Sequence, residues 1–317
     1  MLNLGIVGCG NMAGVMADSL KGVEGVNIAA VASRDPKKAK AFAKVHCPEA
    51  KTYGSYMKLA EAKGIDLVYI ASPNTYHYEC AIMCLKAHKN ILVEKPFTMS
   101  RAEADSIFTE AKNRNLFVCE AMWTAFMPLH NQMLAWIREG RIGAVKYISA
   151  NLGYDIEDVP RLTDPNLGGG SYPDLGVYPS HLAMSILGND LIPTNVHARR
   201  YSTGVDRDVS YVLEQPGEGA LCSFYVTMSA KTDRNGGIVG EDGYIRIRNI
   251  NNYEKIALYD TDDEIIEECE AEGLNGYACE ILSCKKAIEE GRIQCDEMPW
   301  NRTAALVSLG DRIRSMM

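Results

Sequence analysis

The sequence predicts an α/β protein: an N-terminal doubly wound parallel sheet, then a C-terminal α+β domain built on a large, mainly antiparallel sheet. Three observations predict it. The glycine turn Gly8-Cys9-Gly10-Asn11-Met12-Ala13 sits between an apolar strand and a helix. Short apolar runs alternate with helical stretches through the first 121 residues, as parallel βα units require. From residue 195 onward, strand-like runs follow one another with turns between them. These patterns divide the chain into a dinucleotide-binding domain, 1–121, and a substrate-binding and oligomerisation domain, 122–317.

Size and composition narrow the function classes. The chain has 317 residues, enough for two cores. Its 23% charged and 47% hydrophobic residues are ordinary for a soluble protein. The net charge of −8 and the lack of a basic stripe argue against a nucleic-acid partner. No apolar run reaches the roughly 18 residues of a membrane span. The first residues open directly as a strand, with no signal-peptide pattern. A cytoplasmic protein is therefore expected, with no membrane partner. The ten cysteines include no C-x-x-C pair, and several fall in apolar segments. Buried reduced thiols are expected rather than zinc or disulfides, and no metal site is expected.

The first strand is Leu2–Val7, and the helix after it runs through Leu20. Between them Gly8 permits the tight turn, and Gly10 lets a pyrophosphate approach the backbone. Ala13 lets the helix pack closely on the strand. The helix start at Asn11 and Met12 offers amide groups and a dipole to the phosphates. In this strand–turn–helix context the pattern is the dinucleotide signature of a Rossmann fold. The second strand, Val26–Ala32, ends in Ser33-Arg34-Asp35-Pro36. An acid at that strand end would hold a ribose 2′-hydroxyl. Ser33 with Arg34 suits a 2′-phosphate instead. NADP is the expected cofactor, and NAD stays open because Asp35 stands close behind. Asp35-Pro36 caps a helix through His46.

A short unit follows, with a strand at 51–53 and a helix at 55–62. The strand at 65–70 leads into Ala71-Ser72-Pro73-Asn74-Thr75-Tyr76-His77, where Asn74 or Thr75 caps a helix to Ala87. Ser72, Asn74 and His77 are candidate cofactor contacts. His77 in the first turn faces cofactor or solvent, or serves the structure. The strand at 90–93 runs straight into Glu94-Lys95-Pro96. In open parallel sheets ligands sit beyond the carboxyl ends of strands, so Glu94 and Lys95 are expected to project into the crevice. Pro96 keeps Lys95 out of helical geometry. A helix at 100–113 and a strand at 116–120 complete the domain.

The second domain opens with an amphipathic helix at 128–139 and a strand at 145–151. A charged, proline-containing loop spans 155–165, and from it Arg161 can reach a substrate oxygen. Gly168-Gly169-Gly170 then leave room for something to come near the backbone. Asp174, Tyr178 and His181 follow at i, i+4 and i+7 on one helix face. Such a polar stripe is costly against apolar core, so it is expected to line a cleft. Pro179 is expected to kink the helix. Strands are expected at 195–201, 209–214, 219–228, 237–240, 243–248 and 255–259, with turns such as 215–218. Helices at 276–290 and 301–317 finish the chain. An uncovered apolar sheet face would suggest a homo-oligomer.

Taken in order, Gly8-Cys9-Gly10-Asn11-Met12-Ala13, Ser72-Pro73-Asn74 with His77, Glu94-Lys95-Pro96 and Glu120-Ala121-Met122-Trp123 resemble the Gfo/Idh/MocA family of oxidoreductases. The resemblance extends over nearly the whole chain. It is strongest to the branch of dimeric dihydrodiol dehydrogenase and glucose–fructose oxidoreductase. The family usually shows D-x-G-x-H; here Asp174-x-Gly176-x-Tyr178 follows that branch. The resemblance implies that Lys95 lies beside the nicotinamide and the substrate, and that Trp123 is near the cofactor. It also implies pairing through the large sheet, as a homodimer or higher homo-oligomer. The branch commonly carries arginine two residues after the tryptophan. Ala125 stands there in this chain, so that contact does not carry over.

The expected activity is hydride transfer between NADP(H), or NAD(H), and a CH–OH or C=O group of a sugar, polyol or diol. A phenol titrates near about 10, too high for a good base at neutral pH. Lys95⁺ would favour the phenolate, so Tyr178 is the expected acid/base across an interdomain cleft. Lys95 is its electrostatic partner and a substrate donor, although the reverse assignment also fits. Asp174 would orient substrate or lysine, and His181 would line the substrate site. Two other readings use the same fold: a nucleotide-sensing regulator without turnover, and a sugar-modifying enzyme that retains its NAD.

Overall fold

The computed structural model describes every residue of the chain except Glu218, which falls in the expected turn at 215–218. The described residues form two units: 1–123 with 274–303, and 124–273 with 304–317.

The first unit is built on a six-stranded sheet in the order β3-β2-β1-β4-β5-β6. These strands are β1 Leu2–Val7, β2 Val26–Ala32, β3 Lys51–Tyr53, β4 Leu67–Ile70, β5 Asn90–Glu94 and β6 Val118–Ala121. Every pairing in it is parallel. The helices between them are α1 Asn11–Ser19, α2 Pro36–His46, α3 Tyr56–Ala60, α4 His77–Lys86 and α5 Arg101–Arg114. β4 is wholly buried, and so is β5 from Ile91 on, as sheets covered on both faces require. Helix ends follow the sequence closely. Asp35 accepts from the Lys37 N–H at 2.8 Å, Ser100 caps α5, and Asn115 ends it in the left-handed conformation.

The first break, at 123/124, lies close to the expected 121/122, but residues 274–303, expected in the second domain, group with the first unit. They contain α9, Gly276–Glu289, and the start of α10, Trp300–Met316. The physical cause is the open edge of β6. The Val118 N–H donates to the Ile293 carbonyl at 2.9 Å, and the Trp300 indole donates to the Val118 carbonyl at 2.8 Å. The returning chain satisfies groups that an edge strand would leave unpaired.

The second unit carries an eight-stranded sheet in the order β14-β13-β12-β11-β7-β10-β9-β8. Its strands are β7 Val145–Gly153, β8 Ile192–Arg200, β9 Asp206–Glu214, β10 Leu221–Thr227, β11 Gly236–Gly240, β12 Tyr244–Arg248, β13 Lys255–Tyr259 and β14 Ile265–Glu270. Only β7 and β10 pair in parallel; the rest are antiparallel. The helices are α6 Pro128–Arg138, the short α7 Pro160–Thr163, and α8 Val177–Leu187. Alternate residues such as Ile148, Leu152, Phe224, Val226, Ile245 and Ile256 form the buried face. The other face is not the apolar one expected. It carries Ser149, Asn151, Tyr225 and a stack of Tyr244 on Tyr259 at 4.7 Å, with Arg246 against both rings. Sequence reading missed β14. Its residues are mostly exposed and half of them are acidic, and Glu267, Glu268 and Glu270 pair with Arg141 and Lys255. Charge of this kind is how sheet edges resist pairing with other chains.

Candidate active site

In the first unit the candidate residues gather along the carboxyl edge of the parallel sheet. Neighbouring β1 and β4 mark the point where the strand order reverses, which is where such sheets bind dinucleotides. Gly8 leaves β1 at φ +101°, and a Cβ there would collide with the Ala71 carbonyl at the end of β4. Gly10 differs. A Cβ built on it meets nothing within 4 Å, and no side chain caps α1. Open space above an uncapped helix start fits a pyrophosphate. Asn11 is exposed and Met12 half-buried at that start, while Ala13 is fully buried beneath.

At the end of β2, Ser33 is buried and Arg34 exposed, with the guanidinium 4.8 Å from the centre of the Tyr76 ring. The Asp35 carboxylate is used as the cap of α2, so it already has a structural task. Ser72 and Asn74 are buried at the start of the segment leading to α4. Of the readings open for His77, its contacts favour the structural one. It is fully buried, with Nδ1 2.9 Å from the Pro96 carbonyl and Nε2 2.9 Å from the Ser72 carbonyl. It ties together the turns after β4 and β5.

The Glu94-Lys95-Pro96 turn divides its two charges. Glu94 does not project into a crevice: it is buried and accepts a hydrogen bond from the Tyr69 hydroxyl. The alternation of β5 accounts for this, since successive residues point to opposite faces. Lys95 is half-buried, and the peptide joining it to Pro96 is cis. Beside it lies Glu120, which the sequence reading left out of the site. Its Oε1 accepts from the Phe97 N–H at 3.2 Å. Burial pushes its carboxyl up to about 7, and the nearby Glu94 charge pushes the same way. Trp123 is stacked on Tyr277 at 4.4 Å, and Ala125 is buried.

In the second unit, Arg161 pairs with Asp174 at 3.1 Å. Asp174 and Tyr178 are both buried, at 8% and 5% exposed. His181 is buried with its ring 5.4 Å from His130, which in turn contacts the Tyr253 hydroxyl at 2.8 Å. The single-face reading assumed 3.6 residues per turn. Residues Tyr172–Gly176 instead form a π-helical turn ahead of α8, which rotates Asp174 relative to Tyr178 and His181. Pro179 explains the irregularity, because it has no N–H for the Leu175 carbonyl. The glycine run also differs from expectation. A Cβ on Gly169 would strike the Leu162 carbonyl, and one on Gly170 the Asp206 carboxylate. The chain itself takes that room. Asp206 then accepts from Ser171 Oγ at 2.9 Å and the Tyr172 N–H at 2.6 Å, anchoring the turn.

All ten cysteines are free thiols, and seven are buried. Three of the buried ones, distant in sequence, lie close together. Cys119, Cys284 and Cys295 bring their sulfurs within 4.8 Å of one another.

The reversal of strand order, the open glycine turn and the lysine after β5 define a Rossmann-type dinucleotide-binding chain with an appended α+β unit. Residues 2–121 match a family model described as an oxidoreductase family with an NAD-binding Rossmann fold, and residues 130–246 match the corresponding Gfo/Idh/MocA C-terminal domain. Trans-1,2-dihydrobenzene-1,2-diol dehydrogenase of Xenopus laevis is 35% identical over 222 residues, 69% of this chain and 66% of that one. The Mus musculus protein of the same name is 34% identical over 226 residues, 70% of this chain and 67% of that one. The chain thus aligns with about two thirds of the length of these curated relatives. In fold it resembles KijD10, a 3-ketoreductase from Actinomadura kijaniata crystallised with NADP and TDP-benzene. The TM-score is 0.88 at 24% identity, over 99% of this chain and 97% of the other. The chain belongs to the Gfo/Idh/MocA family of NAD-binding oxidoreductases.

Proposed function

We propose that this chain is an NADP(H)-dependent oxidoreductase acting on a CH–OH or C=O group of a sugar, polyol or diol. The observation that carries the reading is the carboxyl edge of the first sheet, where an open, uncapped Gly10 turn lies one strand from β4 and two from Lys95. The relatives named for dihydrodiol oxidation support the substrate class. NADP is favoured over NAD because Arg34 is exposed at the end of β2, while Asp35 is engaged as a helix cap.

Gly8, Gly10, Asn11 and Met12 would hold the pyrophosphate, and Ser33 with Arg34 the 2′-phosphate. Ser72, Asn74 and Trp123 would border the remaining length of the cofactor. The bound nicotinamide would exchange a hydride with the carbinol carbon. During oxidation Tyr178 takes the hydroxyl proton, and during reduction it returns it. Lys95 donates a hydrogen bond to the same oxygen and its charge favours the phenolate. Asp174, held by Arg161, orients the substrate. His77 and Glu94 support the Lys95 turn from below rather than touching ligand, and His181 supports the Tyr178 helix.

The uncovered face of the eight-stranded sheet supports self-association. Its tyrosines and Arg246 are the residue types that protein interfaces favour. A homodimer through this face is the proposed assembly. Among the described residues no helix is long and apolar enough to cross a membrane. Ten free thiols suit a reducing compartment, which supports a cytoplasmic location.

The test is a panel of sugars, polyols and trans-diols offered with NADP⁺ and with NAD⁺, read as reduced-nicotinamide absorbance. Turnover of at least one of them with cofactor released each cycle is the expected result. Tight dinucleotide binding with no turnover would replace this reading with a nucleotide sensor.

A further inference from the structure

Three cysteines distant in sequence meet inside the first unit. Cys119 lies on β6, Cys284 on α9, and Cys295 on the connection from α9 to α10. Their sulfurs all lie within 4.8 Å of one another, and Cys284 and Cys295 are 3.9 Å apart. All three are buried. Thiols pack well as small apolar groups, so proximity alone does not require a ligand.

Glu280 adds a second observation. It precedes Cys284 by one helical turn and so shares its face of α9. It is fully buried, and neither carboxylate oxygen has a hydrogen-bond partner. Its electrostatic neighbours are Glu94 and Cys295, and it acts in turn on Cys119. An unpartnered carboxylate in the interior is unfavourable unless a cation or a proton compensates it. A purely apolar thiol cluster gives no reason for an acid here.

The spacing suits a soft cation. With metal–sulfur bonds near about 2.3 Å, three thiolates around one ion stand roughly 4 Å apart. The observed separations need only small side-chain movement to reach that. Soft thiolates select ions such as Zn²⁺ over Mg²⁺ or Ca²⁺.

We propose that Cys119, Cys284 and Cys295 bind one thiophilic divalent cation of the Zn²⁺ or Cd²⁺ type, with Glu280 completing or supporting the ligand shell. Binding releases the thiol protons and joins β6, α9 and the chain after it by direct bonds. Such a cation would stabilise the first unit in proportion to its free concentration.

The test uses reduced full-length protein titrated with Cd²⁺ and followed by thiolate-to-metal charge-transfer absorption, with Zn²⁺ competition to rank affinities. One equivalent should bind, with a rise in melting temperature. Cys284→Ser and Cys295→Ser should each abolish the stoichiometric band, and Cys279→Ser, outside the cluster, should keep it. Glu280→Gln retains shape and should weaken binding about tenfold, the scale of a lost supporting partner. No band in the unmodified protein overturns the proposal, whatever the variants do. A band that persists in both Cys284→Ser and Cys295→Ser overturns it equally.

Discussion

Glu120→Gln should change how the stability of this protein depends on pH. Glu120 is fully buried, one oxygen accepts from the Phe97 N–H, and burial raises its carboxyl from 4.5 to about 7. The folded state therefore holds a proton that the unfolded chain releases at lower pH. In the window from 4.5 to about 7 the native state binds more protons, so stability is lost as pH rises through it. A shift of this size corresponds to about 3 kcal/mol between roughly pH 4 and pH 8. Glutamine keeps the acceptor for Phe97 and has no charge to bury. The variant should match the parent near pH 4 and exceed it by about 3 kcal/mol near pH 8. Urea unfolding at a series of pH values, followed by tryptophan fluorescence, measures the difference directly. Because both proteins share every other titrating group, the difference isolates this one. A gap that stays constant across the series would refute the reasoning.

Gly10→Val should abolish dinucleotide binding with the melting temperature kept within a few degrees, because a side chain there meets no protein atom within 4 Å; calorimetric titration and thermal melts check both halves. Arg34→Ala should weaken NADP binding by about 1–3 kcal/mol and leave NAD unchanged, as titration with each cofactor will show. Asp206→Ala removes the acceptor of Ser171 and of the Tyr172 N–H and should cost about 1–3 kcal/mol in urea unfolding.

The first half of the fold was largely legible because its signals are local. Apolar runs of β4 and β5, the Asp35 cap and the glycine turn each declare themselves within a few residues. What stayed hidden depends on distant partners. Helix α9 reads as an ordinary amphipathic segment, and nothing in it announces that the chain beyond it will pair with Val118. Glu280 looks like a surface glutamate until burial is known, and the three cysteines share no spacing motif. Glu120 was visible within Glu120-Ala121-Met122-Trp123, but its burial was not. The stripe of Asp174, Tyr178 and His181 was read on ideal helical geometry; Pro179 was the available signal that the turn before it would widen.

The central claim is that Lys95 and Tyr178 carry one proton-transfer step of an oxidoreductase. Steady-state turnover of the best substrate by Tyr178→Phe, Lys95→Met and the double variant tests it most directly. Each single change should lower kcat about a hundredfold or more, with cofactor binding retained. The double variant should be scarcely slower than the poorer single, since groups that act in one step are non-additive. Near-normal turnover in both single variants would contradict the account.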